Sequence, residues 1–171
     1  MVMQMADLTI ALAGNPNAGK TTIFNALTGL HQHTGNWPGK TVEKKEGEIE
    51  HGNLTINIVD LPGTYSLTAY SPEEIVARDF IIQEHPDVVI NVVDATNLER
   101  NLYLTIQILE LDVPVVLALN MTDALHKDGA KINLDQLSEL LGNIPVVSTS
   151  ANQGKGISDL IAKAVQVAGK T

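Results

Sequence analysis

Gly14-Asn15-Pro16-Asn17-Ala18-Gly19-Lys20-Thr21 follows a short apolar run, Leu8 to Ala13, and leads through Thr22 into a helix-like stretch that ends near Gly29. A buried strand, a loop of the pattern G-x-x-x-x-G-K-[ST] and a helix, in that order, open an α/β sheet. The glycines let the backbone fold so that several amide N–H groups converge on phosphate oxygens. The helix behind them adds the partial positive charge of its N-terminus. In such a loop Lys20 reaches the β- and γ-phosphates and the Thr21 hydroxyl binds Mg²⁺.

Beyond the loop, strand and helix signals alternate. Residues His31 to Thr41 contain two glycines and a proline without apolar periodicity, and read as a loop. Val42 to Ile49 and Leu54 to Asp60 read as two strands joined at His51-Gly52-Asn53, and their hairpin-like separation makes the pair antiparallel. Leu61 to Tyr70 is a second irregular stretch. Ser71-Pro72-Glu73-Glu74 starts a helix, with a serine cap, proline at the first helical position and glutamate three after the cap. Strands at Asp87–Val93, Pro114–Leu119 and Ile144–Val147 then alternate with helical spacings at Leu98, Leu102, Ile106 and Leu109, at Leu134, Leu137 and Leu141, and from Ile157 to Ala168. The pattern predicts an α/β fold: a doubly wound, six-stranded, mostly parallel sheet flanked by about five helices, with one antiparallel strand pair. No internal repeat, low-complexity tract or linker divides residues 1–171, which are expected to form one domain.

Composition narrows the function. The 171 residues carry 11 basic and 20 acidic side chains, a formal net charge of −9, which speaks against a nucleic-acid partner. With no cysteine, disulfides, thiolate metal sites and cysteine nucleophiles are excluded. No stretch reaches the roughly 18 apolar residues of a membrane span, and the N-terminus lacks the basic region and long apolar run of a secretory signal. The chain is expected to be soluble and cytoplasmic.

Ligands of doubly wound sheets bind beyond the carboxyl ends of the strands, and three further segments carry unusual chemistry there. Asp60-Leu61-Pro62-Gly63 ends a strand 40 residues after Lys20. Its carboxylate faces the metal side of a bound triphosphate, and Gly63 has no side chain to keep its N–H from the γ-phosphate. Asn120-Met121-Thr122-Asp123 begins 60 residues further on. Asp123 can accept from guanine N1–H and the exocyclic amine, whereas adenine would leave the carboxylate unpaired, at a large cost. Asn120 ties the base to the phosphate loop. In Ser148-Thr149-Ser150-Ala151 the Ala151 N–H is placed to donate to guanine O6.

These four segments, in this order, resemble the Ras-like, translation-factor-related GTPases. More narrowly, Gly14 to Thr22, the loop Gly35-Asn36-Trp37-Pro38-Gly39-Lys40-Thr41-Val42-Glu43-Lys44-Lys45, and Asp60-Leu61-Pro62-Gly63-Thr64-Tyr65-Ser66-Leu67 resemble the N-terminal GTPase domain of the bacterial and archaeal FeoB ferrous iron transport family, from about Leu8 to Ala168. The resemblance implies a GTPase that binds GTP and GDP, and a Mg²⁺ shell of Thr21, Thr41 and Asp60. Gly39, Lys40, Thr41, Val42 and Glu43 would form a first switch, and Asp60 to about Tyr70 a second. Asn17 matches the asparagine that helps coordinate K⁺ in potassium-activated relatives. Asn17, Lys20, Thr41 and Gly63 are then the residues expected to act on the reacting phosphates. The implied partners are a helical spacer and membrane domain of the same longer protein and small accessory iron-transport proteins. That protein would lie at the cytoplasmic face of the cell membrane. Oligomeric state is left open.

Two departures matter. Thr64 stands where Ras-like enzymes carry a water-orienting glutamine, so slow hydrolysis is expected. Met121 replaces the lysine of Asn-Lys-x-Asp, which points to weak affinity and fast release. Two alternatives remain at this stage: a GTP/GDP sensor with negligible turnover, and a ribosome-associated GTPase, the latter opposed by the acidic charge. His31 and His33 are expected to sit in water. Trp37 either gates the nucleotide or packs its loop.

Overall fold

A computed structural model describes residues 5–169. Residues 1–4, which enter the reading of the N-terminus, and 170–171 lie outside the described residues. The sheet is built around β1 (Leu8–Gly14), which alternates strictly: Leu8, Ile10 and Leu12 enter one apolar cluster, Ala11 and Ala13 another on the opposite face. β4 (Leu54–Asp60) and β5 (Val88–Asp94) flank it in parallel, and β6 (Val115–Asn120) and β7 (Val146–Ser148) extend the parallel part. β3 (Glu43–His51) returns antiparallel to β4 through a turn at Gly52-Asn53, and β2 (Gln32–Asn36) pairs antiparallel with β3. The order is β2-β3-β4-β1-β5-β6-β7.

Among the described residues, six α-helices flank the sheet. α1 (Lys20–Thr28) and α6 (Ile157–Val167) pack on the face of Leu8, Ile10 and Leu12 through Ile23, Phe24, Leu160, Ile161 and Ala164. α2 (Pro72–Glu84) and α3 (Leu98–Leu109) cover the other face with Val76, Phe80, Leu104 and Ile108. α5 (Leu134–Leu140) closes the far end over Leu117 and Leu119, and the short α4 (Thr122–Lys127) follows β6. The α2 start is as expected: Ser71 Oγ accepts the Glu74 N–H at 3.1 Å with Pro72 at the first position.

The doubly wound, mostly parallel architecture agrees with the sequence reading, and two elements were not anticipated. β2 lies inside the expected loop His31–Thr41, which makes seven strands rather than six. Gln32-His33-Thr34-Gly35-Asn36 has no apolar alternation because it is an edge strand with both faces largely in solvent, held by backbone pairing to β3 and by Gln32 Nε2, which donates to Asn25 Oδ1 and Thr28 Oγ1 of α1. α4 is the sixth helix; its six residues are too few to show a period.

Candidate functional site

The phosphate loop leaves β1 at Gly14, which lies so close to β5 that a Cβ there would meet Val92 O at 2.7 Å. The loop closes with Ala18 N–H donating to Asn15 O at 3.1 Å, and Gly19, at φ +91°, turns the chain into α1. A side chain at Gly19 would collide with Asn120 Nδ2, so the left-handed turn and the close approach both require glycine. Lys20, Thr21 and Thr22 form the first turn of α1, with Lys20 buried and both threonines exposed. The buried Asn91 supports the start of the loop: its Nδ2 donates to Ala13 O, and its Oδ1 accepts from Thr105 Oγ1.

Beside Lys20 lies a cavity of about 280 Å³ whose lining also includes Thr41, Val42, Glu43, Asp60, Leu61, Pro62 and Gly63. Asp60, Thr41 and Gly63, expected on the metal side and in the two switches, are therefore brought together. Glu73 at the start of α2 and Lys45 on β3 share this lining and were not singled out in the sequence, where they read as a helix start and a solvated strand face. Lys20 Nζ and the Asp60 carboxylate are in direct contact, both nearly buried. Burial pushes the Asp60 carboxyl above its ordinary value, against the opposing pull of Lys20. Thr21, Thr41 and Asp60 offer hard oxygen donors of the kind Mg²⁺ selects.

Gly39 and Lys40 are not brought into this cavity. Gly39 turns at φ +70° in open space, and Lys40 lines a separate cavity of about 460 Å³ between Trp37, β4 and α2. Trp37 packs its loop: it is 9% exposed, meets Phe80 edge-on at 5.6 Å, and carries the Lys44 ammonium over its ring at 4.8 Å. Its backbone N–H donates to Val42 O, which closes the base of the loop that holds Thr41.

Asn15, Asn17 and Ala18 face a third cavity, of about 120 Å³, shared with Tyr65, Asp94 and Arg100. Gly63 sits on the phosphate loop, where a Cβ would come within 2.9 Å of Pro16 Cα, and Thr64 N–H donates to Gly14 O at 3.1 Å. After them, Ser66 and Thr68 hydroxyls donate to Glu74 Oε2 at 3.2 and 2.7 Å. The Thr68 bond is the largest influence on the Glu74 carboxyl, which is held below its ordinary value of 4.5. A depressed carboxylate lends stability that is complete above that value and lost as pH falls through the lower folded one. Amide exchange at residues 66–68 is therefore expected to accelerate relative to the sheet as pH falls progressively below 4.5, and Glu74→Gln is expected to remove that pH dependence.

The base end is organised by Asn120. Its Nδ2 donates to Ala18 O at 3.0 Å, while its Oδ1 accepts from Thr149 Oγ1 at 3.0 Å and Ala151 N–H at 3.1 Å. One side chain thus joins the phosphate loop to the 148–151 loop. The Ala151 N–H, expected to face a base, is donated to Asn120 here. Thr122 Oγ1 links Ser148, Thr149 O and Ser150. Met121, in the left-handed region at φ 63°, packs its methyl toward Gly19. Burial raises the Asp123 carboxyl, but hydrogen bonds from Ala124 N–H and Ser150 outweigh this and hold it below its ordinary value. Gln153 Nε2 donates to Asp123 Oδ2 at 3.1 Å, a contact that no sequence signal announced.

The family model for ferrous iron transport protein B matches residues 8–164. The chain belongs to the FeoB family. It is 51% identical over 161 residues to a Porphyromonas gingivalis Fe(2+) transport protein A/Fe(2+) transporter FeoB fusion protein, covering 94% of this chain and 19% of the relative. The chain spans about a fifth of the length of the curated FeoB relatives it matches. Among solved structures, the FeoB G-domain from Methanococcus jannaschii is 50% identical with a TM-score of 0.84, covering 98% of this chain and 100% of that one. The cytosolic domain of T. maritima FeoB in a GDP form is 47% identical with a TM-score of 0.92, covering 100% of this chain and 66% of that one. The Ras-like G-domain fold expected from the FeoB resemblance is thereby established.

Proposed function

We propose that residues 1–171 are the G domain of a FeoB transporter, a domain that binds GTP and hydrolyses it slowly to GDP and phosphate. The observation that carries this reading is the bonding of Asn120, which holds the phosphate loop and the 148–151 loop in one frame with Asp123 beside it. Asp123 reads the guanine edge, Lys20 and the loop amides bind the phosphates, and Gly63 offers its N–H to the γ-phosphate. Thr21, Thr41 and Asp60 would hold Mg²⁺, which when bound neutralises charge on the β- and γ-oxygens. Asn17 would help hold K⁺, whose charge supports the transition state as an arginine finger does elsewhere. The cycle controls ferrous iron uptake through the membrane part of the same protein, reached through a helical spacer at the cytoplasmic face. The fusion of a transport protein A to a P. gingivalis relative supports small accessory proteins as partners.

A sensor with negligible turnover is the second reading. It is favoured by Thr64, whose short, buried side chain stands where Ras-like enzymes carry a water-orienting glutamine. GTP turnover with Mg²⁺ in potassium chloride against sodium chloride, at equal ionic strength and with ATP as control, separates the two. The expected outcome is about tenfold or greater stimulation by potassium, lost in Asn17→Ala. Equal near-zero rates with GTP still bound establish the sensor.

A further inference from the structure

The segment after Gly63 is tied to α3 at two points. The Arg100 guanidinium lies over the Tyr65 ring at 4.5 Å, and the Leu67 N–H donates to Gln107 Oε1 at 2.6 Å. Residues 100 and 107 are seven apart and so share one face of the helix. At the second tie the segment also has a buried anchor: the Leu67 side chain enters the cluster formed by Phe80, Leu104 and Ile108. An apolar side chain in such a cluster fixes depth but not register, because dispersion contacts are non-directional. The hydrogen bond and the cation–π contact are directional, and they set where the segment lies along α3. That position reaches the phosphate loop. Three residues before Leu67, Thr64 N–H bonds to Gly14 O, and Gly63 touches Pro16. Tyr65 and Arg100 also wall the small cavity beside Asn15 and Asn17.

We infer that Arg100 and Gln107 are positioning residues that hold the second-switch segment in register along α3, and thereby keep Gly63 seated on the phosphate loop. The inference rests on the GTPase reading above only in what Gly63 does. Neither residue touches the nucleotide-binding loops by hydrogen bond. Their effect passes through Tyr65 and Leu67, so binding of diphosphate is left unchanged while the step that needs Gly63 in place is slowed.

The test uses the GDP-loaded domain with Gln107→Leu, Gln107→Glu and Arg100→Ala. Gln107→Leu removes the acceptor at nearly constant volume, and Gln107→Glu keeps a carboxylate oxygen for the same N–H. Amide exchange at Leu67 is expected to rise about tenfold in Gln107→Leu and to return to the wild-type rate in Gln107→Glu. In the same proteins kcat for GTP is expected to fall about fivefold or more in Gln107→Leu and Arg100→Ala, with KM and GDP affinity within about twofold. Unchanged exchange overturns the inference. Faster exchange with unchanged or increased kcat overturns it as well, since the contacts then only stabilise the segment. If the wild-type domain does not turn over GTP, the hydrolysis reading fails and binding decides this one. Gln107→Leu must then weaken a non-hydrolysable GTP analogue at least about fivefold more than GDP, and equal effects overturn the inference.

Discussion

Asp123→Asn is expected to weaken GDP binding by about a thousandfold while restoring binding to the xanthine analogue. The carboxylate, held below its ordinary value by the hydrogen bonds of Ala124 and Ser150, is ionised at neutral pH, so it is purely an acceptor and matches the two donors of the guanine edge. Asparagine keeps the shape and its Oδ1 still accepts from N1–H, but its Nδ2 turns toward the exocyclic amine, leaving two donors facing each other, the costly arrangement once the base shuts out water. Xanthine carries an oxygen where guanine carries the amine, so it pairs with the new donor. Competition binding with GDP, XDP and ADP reads the result; GDP affinity within threefold of the wild type would overturn the assignment of Asp123 to the base. Gln153, which donates to the same carboxylate at 3.1 Å, must yield to the base. Gln153→Ala is expected to leave selectivity unchanged.

Lys20→Ala is expected to do two separate things. Loss of the ammonium removes a phosphate contact that the loop amides alone do not replace, lowering nucleotide affinity by about 10²–10³-fold. It also strands the Asp60 carboxylate, which is buried and for which Lys20 is the direct ionic partner. Breaking one half of a buried ion pair costs about 3–5 kcal/mol of stability. Burial already holds the Asp60 carboxyl above 3.8, and without Lys20 only the smaller pull of Lys45 opposes it. For a carboxyl raised in the folded state, stability is complete below the unfolded value and is lost as pH rises through the folded one. The deficit of Lys20→Ala should therefore be small near pH 4 and grow toward neutrality. Denaturant unfolding across that range measures it, and Lys20→Met with Asp60→Asn is expected to recover most of the stability without recovering nucleotide binding. A Lys20→Ala protein as stable as the wild type at pH 7 would show that the two side chains do not pair in solution.

The phosphate loop, Asp60-Leu61-Pro62-Gly63, Asn120 to Asp123 and Ser148 to Ala151 were legible because each is a short run whose spacing places it at the end of a strand. The parallel core was legible for the same reason: β1, β5 and β6 are buried on both faces and read as continuous apolar runs. β2 escaped because an exposed edge strand leaves no apolar alternation. Trp37 was undecidable in sequence, since packing against Phe80 brings together residues 43 positions apart.

By itself, then, the amino-acid sequence determined the fold class, the FeoB membership and where the four loops stand at the strand ends, all of which reside in residue type and local spacing. Tertiary structure alone decided which of those groups meet: Thr41 with Lys20 and Asp60, Ala151 with Asn120, Gln153 with Asp123, and the second switch with Arg100 and Gln107. Such pairs are chosen by the docking of helices on the sheet, where burial and directional bonds act between residues that are distant in the chain and leave no periodic mark in it.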